Sequence, residues 1–377
     1  MKFIFYSPVA FEKWDWRNSV EKGIGGSETS HVEMSWRLAA RGHEVVTYAP
    51  IPDDCPGEWR GTKWYPLEQA DFSEEGIWIL YRCPEIVDKF LPKKKTQQLW
   101  LMMQDWDYPT WNGEEGEVRV KNTDAVITLC KSHGFDVVQK HPLVESNLWL
   151  TSNGIKTDLI KEIEEDGVPE RNPKRIMYAS SPDRGLKYGL ISFKKAREII
   201  PDLEFHAFYG FNNLDKLIEG QPAHWLAKNK REIMELLEQP GVTFHGRVSQ
   251  KELYKEWFKS GIWLYETNFN ETSCITSMEA QACGAIPIVS PVYALKENVQ
   301  HGVGIVGDAN DPLTQARFAA EIVKMVMIPG LQDVIRSEMM PWARERFDWE
   351  VFVDHWIAKA EGKEWPKDKF PFQLSND

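Results

Sequence analysis

Short apolar runs alternate with helix-length amphipathic runs along this chain, and the pattern occurs twice. In the first series the runs are KFIFYSP, HEVVTYAP, GIWILYR, QLWLMMQ, DAVITLC and NLWLTS; in the second they are RIMYASS, LEFHAFYG, VTFHG, GIWLYET, AIPIVS and VGIVG. Several are apolar at every position. A parallel strand covered on both faces requires this, whereas a strand with one wet face would alternate. Residues 29–40 read as a helix with Gly42 as its stop, and 190–200 and 250–260 read as helices between later strands. Between the series lies KEIEEDGVPERNPKR, residues 161–175, whose charges, two prolines and glycine read as a linker. Such a pattern predicts an α/β protein of two Rossmann-like doubly wound domains facing across a cleft. The expected bounds are 1–165, 172–348, and 349–377 for a final helix and tail. Ligands of such sheets bind at the carboxyl ends of strands, which makes the cleft the default site.

Composition narrows the function classes. With 42% hydrophobic and 27% charged residues the chain is globular rather than disordered, and 377 residues suit two cores. A net charge of −12 disfavours tight binding to bare nucleic acid or anionic membranes, and the compact basic run Lys93–Lys95 reads as a solvated loop. Five scattered cysteines without a CxxC pair fit a reducing compartment. The opening MKFIFYSPVAFEKWDW lacks the form of a signal peptide, and no apolar run reaches about 18 residues. A cytoplasmic protein without integral membrane contact is therefore expected. The 17 tryptophans are read chiefly as packing, although indoles also stack on sugar rings and bases.

Four stretches could carry chemistry. In KGIGGSETSHVEMSW, the glycines Gly23, Gly25 and Gly26 precede a helix, and Ser27 follows them. Such a loop lets backbone N–H groups approach phosphate, although it is neither GxGxxG nor a Walker loop and a plain turn accounts for it equally. In YASSPDRGLKYGL, Arg184 and Lys187 flank a helix start, as a diphosphate would need; an exposed basic face is the plainer account. In YETNFNETSCITSMEAQACGAIPIVS, Glu271 and Glu279 are eight residues apart on a helix expected over 272–283, a rise of about 12 Å. Glu271 could simply favour the helix start, but an unpaired buried Glu279 would be costly. Last, LMMQDWDYP holds Asp105 and Asp107 in a D-x-D with no third ligand, so no metal site is assigned.

In this order the stretches resemble the retaining glycosyltransferases of family 4, which have the GT-B fold. GIGGSE is similar to the glycine loop of their first domain, SNGIKTDLI to the element before their linker, and SSPDRGL to the opening turn of their nucleotide domain. VTFHGRVSQKELYKEWFKSGIWLYETNFNETSCITSMEAQACGAIPIVS resembles their nucleotide-sugar segment with its E-x7-E motif, and RFDWEVFVDHW their helix that crosses back to the first domain. The resemblance implies that Glu271 meets the donor sugar and that Thr272, Ser273, Cys274 and Ile275 hold sugar and phosphate by their backbone. It further places Glu279 on the ribose, Gly25 and Gly26 near the diphosphate, and Gly246, Arg247 and Val248 around the base. Arg184 stands where the family has a phosphate-binding lysine. Ala179 replaces a second cation, and Gln104-Asp105 replaces a histidine, which makes Asp105 the candidate near the acceptor hydroxyl.

The function these residues imply is retaining transfer of a hexose or pentose from a nucleoside diphosphate sugar to a hydroxyl, with no metal and no further cofactor. Acceptors are expected on the first domain, among 14–22 and 108–116. A saccharide or glycoconjugate is the first expectation, and a hydroxylated or glycosylated DNA base, as some phage enzymes use, is the alternative. A non-catalytic nucleotide-sugar binder is the alternative from another class.

Overall fold

The structure is a computed structural model and describes residues 1–92, 96–105 and 109–366. The chain forms two compact units. The first comprises residues 1–20, 24–154 and the segment from Asp348 onward; the second comprises 21–23 and 155–347. The change of unit thus falls at Gly154–Ile155, ahead of the charged stretch.

Eight strands form the sheet of the first unit: β1 (Lys2–Tyr6), β2 (Glu44–Ala49), β3 (Glu58–Trp59), β4 (Thr62–Pro66), β5 (Ile77–Tyr81), β6 (Gln98–Met102), β7 (Ala125–Thr128) and β8 (Leu148–Leu150). Their order is β3-β4-β2-β1-β5-β6-β7-β8. Every pair is parallel except the β3–β4 hairpin at the edge. All five residues of β5, IWILY, are buried, so the run is apolar because both faces are covered. Phe3, Phe5, Ile79 and Tyr81 pack on one face with Met34, Leu38, Phe352 and Trp356. Ile4, Trp78 and Leu80 pack on the other with Phe90, Val120 and Val137. The helices Gly26–Ala40 and Trp349–Ala360 share the first of these cores. Trp356 stacks on Phe5 with ring centres 6.3 Å apart. Glu350 accepts from Arg37 at 2.8 Å and from Arg41 at 2.6 Å, which ties the last helix to the first.

The second unit holds β9 (Asn172–Tyr178), β10 (Glu204–Phe208), β11 (Val242–Gly246), β12 (Ser260–Tyr265), β13 (Ile286–Val289) and β14 (Val303–Gly304). The order is β11-β10-β9-β12-β13-β14, all parallel. The chain runs outward from β9 to β11, then returns to β12 on the other side of β9. This reversal makes β9 and β12 the switch strands, where the loops part and leave a crevice at the carboxyl ends.

Both series of strands match the sequence reading, and three details differ. The β3–β4 hairpin has no counterpart in the predicted strands. Its two-residue turn is Arg60-Gly61, both at positive φ (47° and 81°). The stretch 161–175 is not a plain linker, because the helix Thr157–Asp166 enters it and β9 begins at Asn172. Ile160 and Ile163 bury one face of that helix, and Asp158, Glu162, Glu164, Glu165 and Asp166 stay in water. Finally, the helix expected over 272–283 begins at Ile275. Cys274 sits at φ 57°, and a left-handed residue cannot belong to a right-handed helix.

Candidate functional site

The site is built from the two turns that leave the switch strands. After β9 the chain passes through Ala179, Ser180 and Ser181 into the short turn Pro182–Arg184. Gly185 follows at φ 151°, and any Cβ there would collide with the Glu266 carbonyl oxygen just beyond β12. Only glycine lets the two turns lie this close. Thr267 Oγ1 donates to the Arg184 carbonyl, and the Thr267 N–H donates to Ser290 Oγ at 3.0 Å. Arg184 is thereby held against the second turn.

Arg184 Nη1 donates to both oxygens of Glu271, at 3.2 and 3.1 Å. The carboxylate is 5% exposed, and Tyr265 Oη at the end of β12 donates to its Oε1. Burial, and next the Glu271 charge, push the Tyr265 phenol well up, so it remains a donor. Arg184 Cζ lies 4.2 Å from the centre of the Phe269 ring. Burial works against its charge, but Glu271 outweighs this and raises its pKa. The guanidinium is 38% exposed at the side chain, so part of it remains open to a ligand.

Thr272 to Cys274 run non-helically into Ile275–Cys283. No side chain caps that helix, so the N–H groups of its first turn keep their partial positive charge. Ser273 Oγ is buried with no hydrogen-bond partner, and the Ser273 carbonyl accepts from Asn298 Nδ2. Ser180 Oγ and Thr276 Oγ1 are 3.1 Å apart, which joins the turn after β9 to the helix start. Glu279 is on this helix and is 3% exposed. At the end of β11, Gly246 (φ 69°) accepts from the Tyr209 N–H at 2.9 Å, and just past it Arg247 Nη2 donates to Asn213 Oδ1 at 2.9 Å. Tyr209 has φ 98°, a strained value for a bulky residue, and its ring lies 5.5 Å from Arg247 Cζ.

The remaining candidates belong elsewhere. Gly25 is the N-cap of Gly26–Ala40 in the first unit, with extended backbone and no side-chain cap, and Ser27 lies in its first turn. Asp105 follows β6 and accepts from Arg82 Nε at 2.6 Å. Arg82 follows β5 with φ 60°.

Residues 201–333 match the family described as "Glycosyl transferases group 1". D-inositol 3-phosphate glycosyltransferase of Streptomyces bingchenggensis is 30% identical over 139 residues, which are 36% of this chain and 29% of the relative's length. The chain therefore spans under a third of that relative. Sucrose-phosphate synthase of Thermosynechococcus elongatus superposes with a TM-score of 0.69 at 14% identity, covering 96% of this chain and 98% of that one. Anabaena HepE, solved in complex with UDP-glucose, gives 0.67 at 16%, covering 96% and 99%. The fold is GT-B.

In this GT-B chain the family match takes in Gly246–Val248, Thr272–Ile275, Glu271 and Glu279 but starts after Arg184. The structure supplies what the match leaves out, because it pairs Arg184 with Glu271 across 87 residues of sequence. It places Lys187 apart from that pair. Its ammonium is bonded to Glu232 Oε2 at 2.5 Å, in a pocket whose lining includes neither Arg184 nor Glu271. The rise of about 12 Å between the two glutamates is also corrected, since only the part from Ile275 on is helical. Asp107 and Lys93–Lys95 lie outside the described residues, as does part of 108–116. Among the described residues no group of three His, Cys, Asp or Glu could hold a metal, and no helix is long and apolar enough to cross a membrane.

Four residues were missed from sequence. Tyr265, Phe269, Tyr209 and His133 carry no motif, although Tyr265 ends an apolar run next to the acids. His133 is fully buried in the first unit. Burial lowers it to about 4, and the Asp105 backbone beside it offsets part of that shift.

Proposed function

We propose that the chain is a retaining glycosyltransferase that moves a sugar from a nucleoside diphosphate sugar to a hydroxyl of a saccharide or glycoconjugate. The observation that carries this reading is the Arg184–Glu271 pair at the switch strands, next to the uncapped start of Ile275–Cys283 and the partnerless Ser273 Oγ. The match of residues 201–333 to group 1 glycosyl transferases and the UDP-glucose bound to HepE support the same class. The net charge of −12 and the neighbours favour a glycan over modified DNA.

In this mechanism the C1–O bond to the diphosphate breaks while the acceptor oxygen bonds to C1 on the same face. The acceptor proton passes to the departing phosphate oxygen. The charge that grows on the diphosphate is met by Arg184, the first-turn N–H groups and Ser273 Oγ. Oriented donors of this kind do the work a divalent cation does in other transferases, so the proposal includes no metal. Glu271, fixed by Tyr265 and Arg184, accepts from donor-sugar hydroxyls, and Glu279 takes the ribose diol. Gly246, Arg247 and Val248 border the base, with Tyr209 and Asn213 behind Arg247. Gly25, Gly26 and Asp105 belong to the first unit and keep the roles that the resemblance implies for them.

Mixing the protein with a panel of nucleotide sugars tests the reading, with UDP-hexoses first. One donor should raise the melting temperature and be hydrolysed slowly, and Glu271→Ala should abolish hydrolysis while the fold persists. No donor response across the panel, or full hydrolysis by that variant, would refute it.

A further inference from the structure

One tryptophan departs from the others. Among the described residues Trp225 alone has a largely exposed ring, 65%, while Trp14, Trp64, Trp78, Trp100, Trp257 and Trp263 are fully buried. It opens the helix Trp225–Leu237, and the preceding His224 fixes the entry by accepting from the Leu226 N–H at 3.2 Å. The ring borders an open pocket of about 260 Å³ with Asp183, Lys187, Asn229, Glu232 and Asn310 on its walls.

The pocket is separate from the site at Glu271. Its walls come from Leu186–Arg197 and Trp225–Leu237, which pack together, and from Asn310, two residues before Pro312–Met327, which packs on the first of them. The helix Ile275–Cys283 packs instead with Gln250–Lys259 and Leu331–Phe347. Right-handed crossovers that run in opposite directions from β9 and β12 place these two groups on opposite faces of the sheet. The turn Pro182–Arg184 is shared, with Asp183 on the pocket and Arg184 on Glu271.

The chemistry of the walls selects the ligand. Asp183 and Glu232 balance Lys187 and Lys228, and Glu232 engages both lysines, at 2.5 and 3.8 Å. No surplus cation remains for a phosphate. Asn229 is half-buried and lines the pocket. Asn310 is already oriented by Tyr188 Oη, which donates to its Oδ1 at 2.9 Å. A flat apolar face beside planar amides and a neutral ion pair suits a sugar ring. Its C–H face covers the indole while its hydroxyls meet the polar groups. The volume is below the roughly 300–1,000 Å³ of drug-sized sites and fits one ring better than a nucleotide.

We infer that this pocket is an accessory binding site for neutral saccharides, distinct from the transfer site. The inference does not depend on the transferase reading, because it concerns binding in the absence of any nucleotide. The test titrates the full chain with maltotriose, cellotriose and xylotriose, followed by tryptophan emission and by saturation transfer to the sugar protons. At least one should bind saturably, with a dissociation constant of about 1 mM, as expected for one stacked ring. Trp225→Ala should weaken that binding at least tenfold and Asn229→Ala by a smaller factor, with the UDP-induced melting shift unchanged in both. Three results would overturn the inference. They are no saturable response to all three sugars, an equal response from Trp225→Ala, and displacement of the sugar by inorganic pyrophosphate, which would make it an anion site. An unchanged UDP shift with no sugar binding would leave the transferase reading standing.

Discussion

Each unit places an arginine–carboxylate pair just past two neighbouring parallel strands, and the two pairs are built differently. Arg184 and Glu271 follow β9 and β12, while Arg82 and Asp105 follow β5 and β6. Glu271 is 7% exposed at the side chain, bound by both oxygens to one guanidinium nitrogen and again by Tyr265. Asp105 is 46% exposed at the side chain, and one of its oxygens meets Arg82 Nε. An ion pair facing water adds little stability because solvent screens it, whereas a buried carboxylate deprived of its partners is left uncompensated. The first pair is therefore a buried, positioned group, and the second faces water, where its charge is screened.

The largest test of this contrast is the loss of Glu271 or Arg184. Glu271→Ala and Arg184→Ala should each lower transfer by roughly 10²–10³-fold, the scale of a lost oriented charge-stabilising group. Steady-state turnover with the best donor measures it, and a loss under tenfold in both would break the comparison.

The next effect concerns the adjacent Glu266. It is fully buried, its Oε1 has no partner, and burial raises it to about 7, an effect the Ser192 hydroxyl, 2.5 Å from Oε2, offsets in part. Its folded pKa lies above the unfolded value of 4.5, so its contribution is fully present below pH 4.5 and is lost as pH rises through about 7. The change is at most about 3 kcal/mol over that window. Glu266→Gln should flatten this part of the urea-stability profile and make the protein more stable than the parent at pH 8. An unchanged slope between pH 5 and 7 would contradict it.

Tyr265→Phe comes third. It removes one of the donors to Glu271 and keeps the ring that stacks on Tyr178, with centres 5.6 Å apart. Turnover should fall by about tenfold, the scale of one hydrogen bond to a charged group, with little loss of melting temperature. Smallest is Asp105→Asn. Stability should change by under about 1 kcal/mol, as for an exposed pair. Any kinetic effect should appear in the KM for acceptor rather than for donor. A turnover loss matching that of Glu271→Ala would make the two pairs equivalent after all.

Many of the strands were legible because the buried run is apolar without a gap, as β5 shows at every residue. Glu271 and Glu279 stood out as candidates because a polar turn leads directly into a helix ending at a glycine. The pair partners did not, since no local rule joins Arg184 to a residue 87 positions on. The partner of Lys187 was hidden for the same reason, since Glu232 lies on another helix, 45 residues away. The start of Ile275–Cys283 was misplaced because a left-handed Cys274 leaves no mark in composition. The β3–β4 hairpin escaped notice because its strands are short and its turn uses Arg60, where an asparagine or aspartate would have signalled it.

The helix Trp349–Ala360 gives the chain an order of assembly. Trp349, Phe352, Val353 and Trp356 fill a core whose other members lie before residue 150, so the first unit cannot close until residues 349–360 have left the ribosome. The second unit is essentially continuous from Ile155 to Phe347 and has no such wait. Domains made during translation tend to fold from the amino end. Here the unit that begins earlier in the chain must remain open longer than the one after it, its apolar sheet face shielded by other means until Trp349–Ala360 arrives.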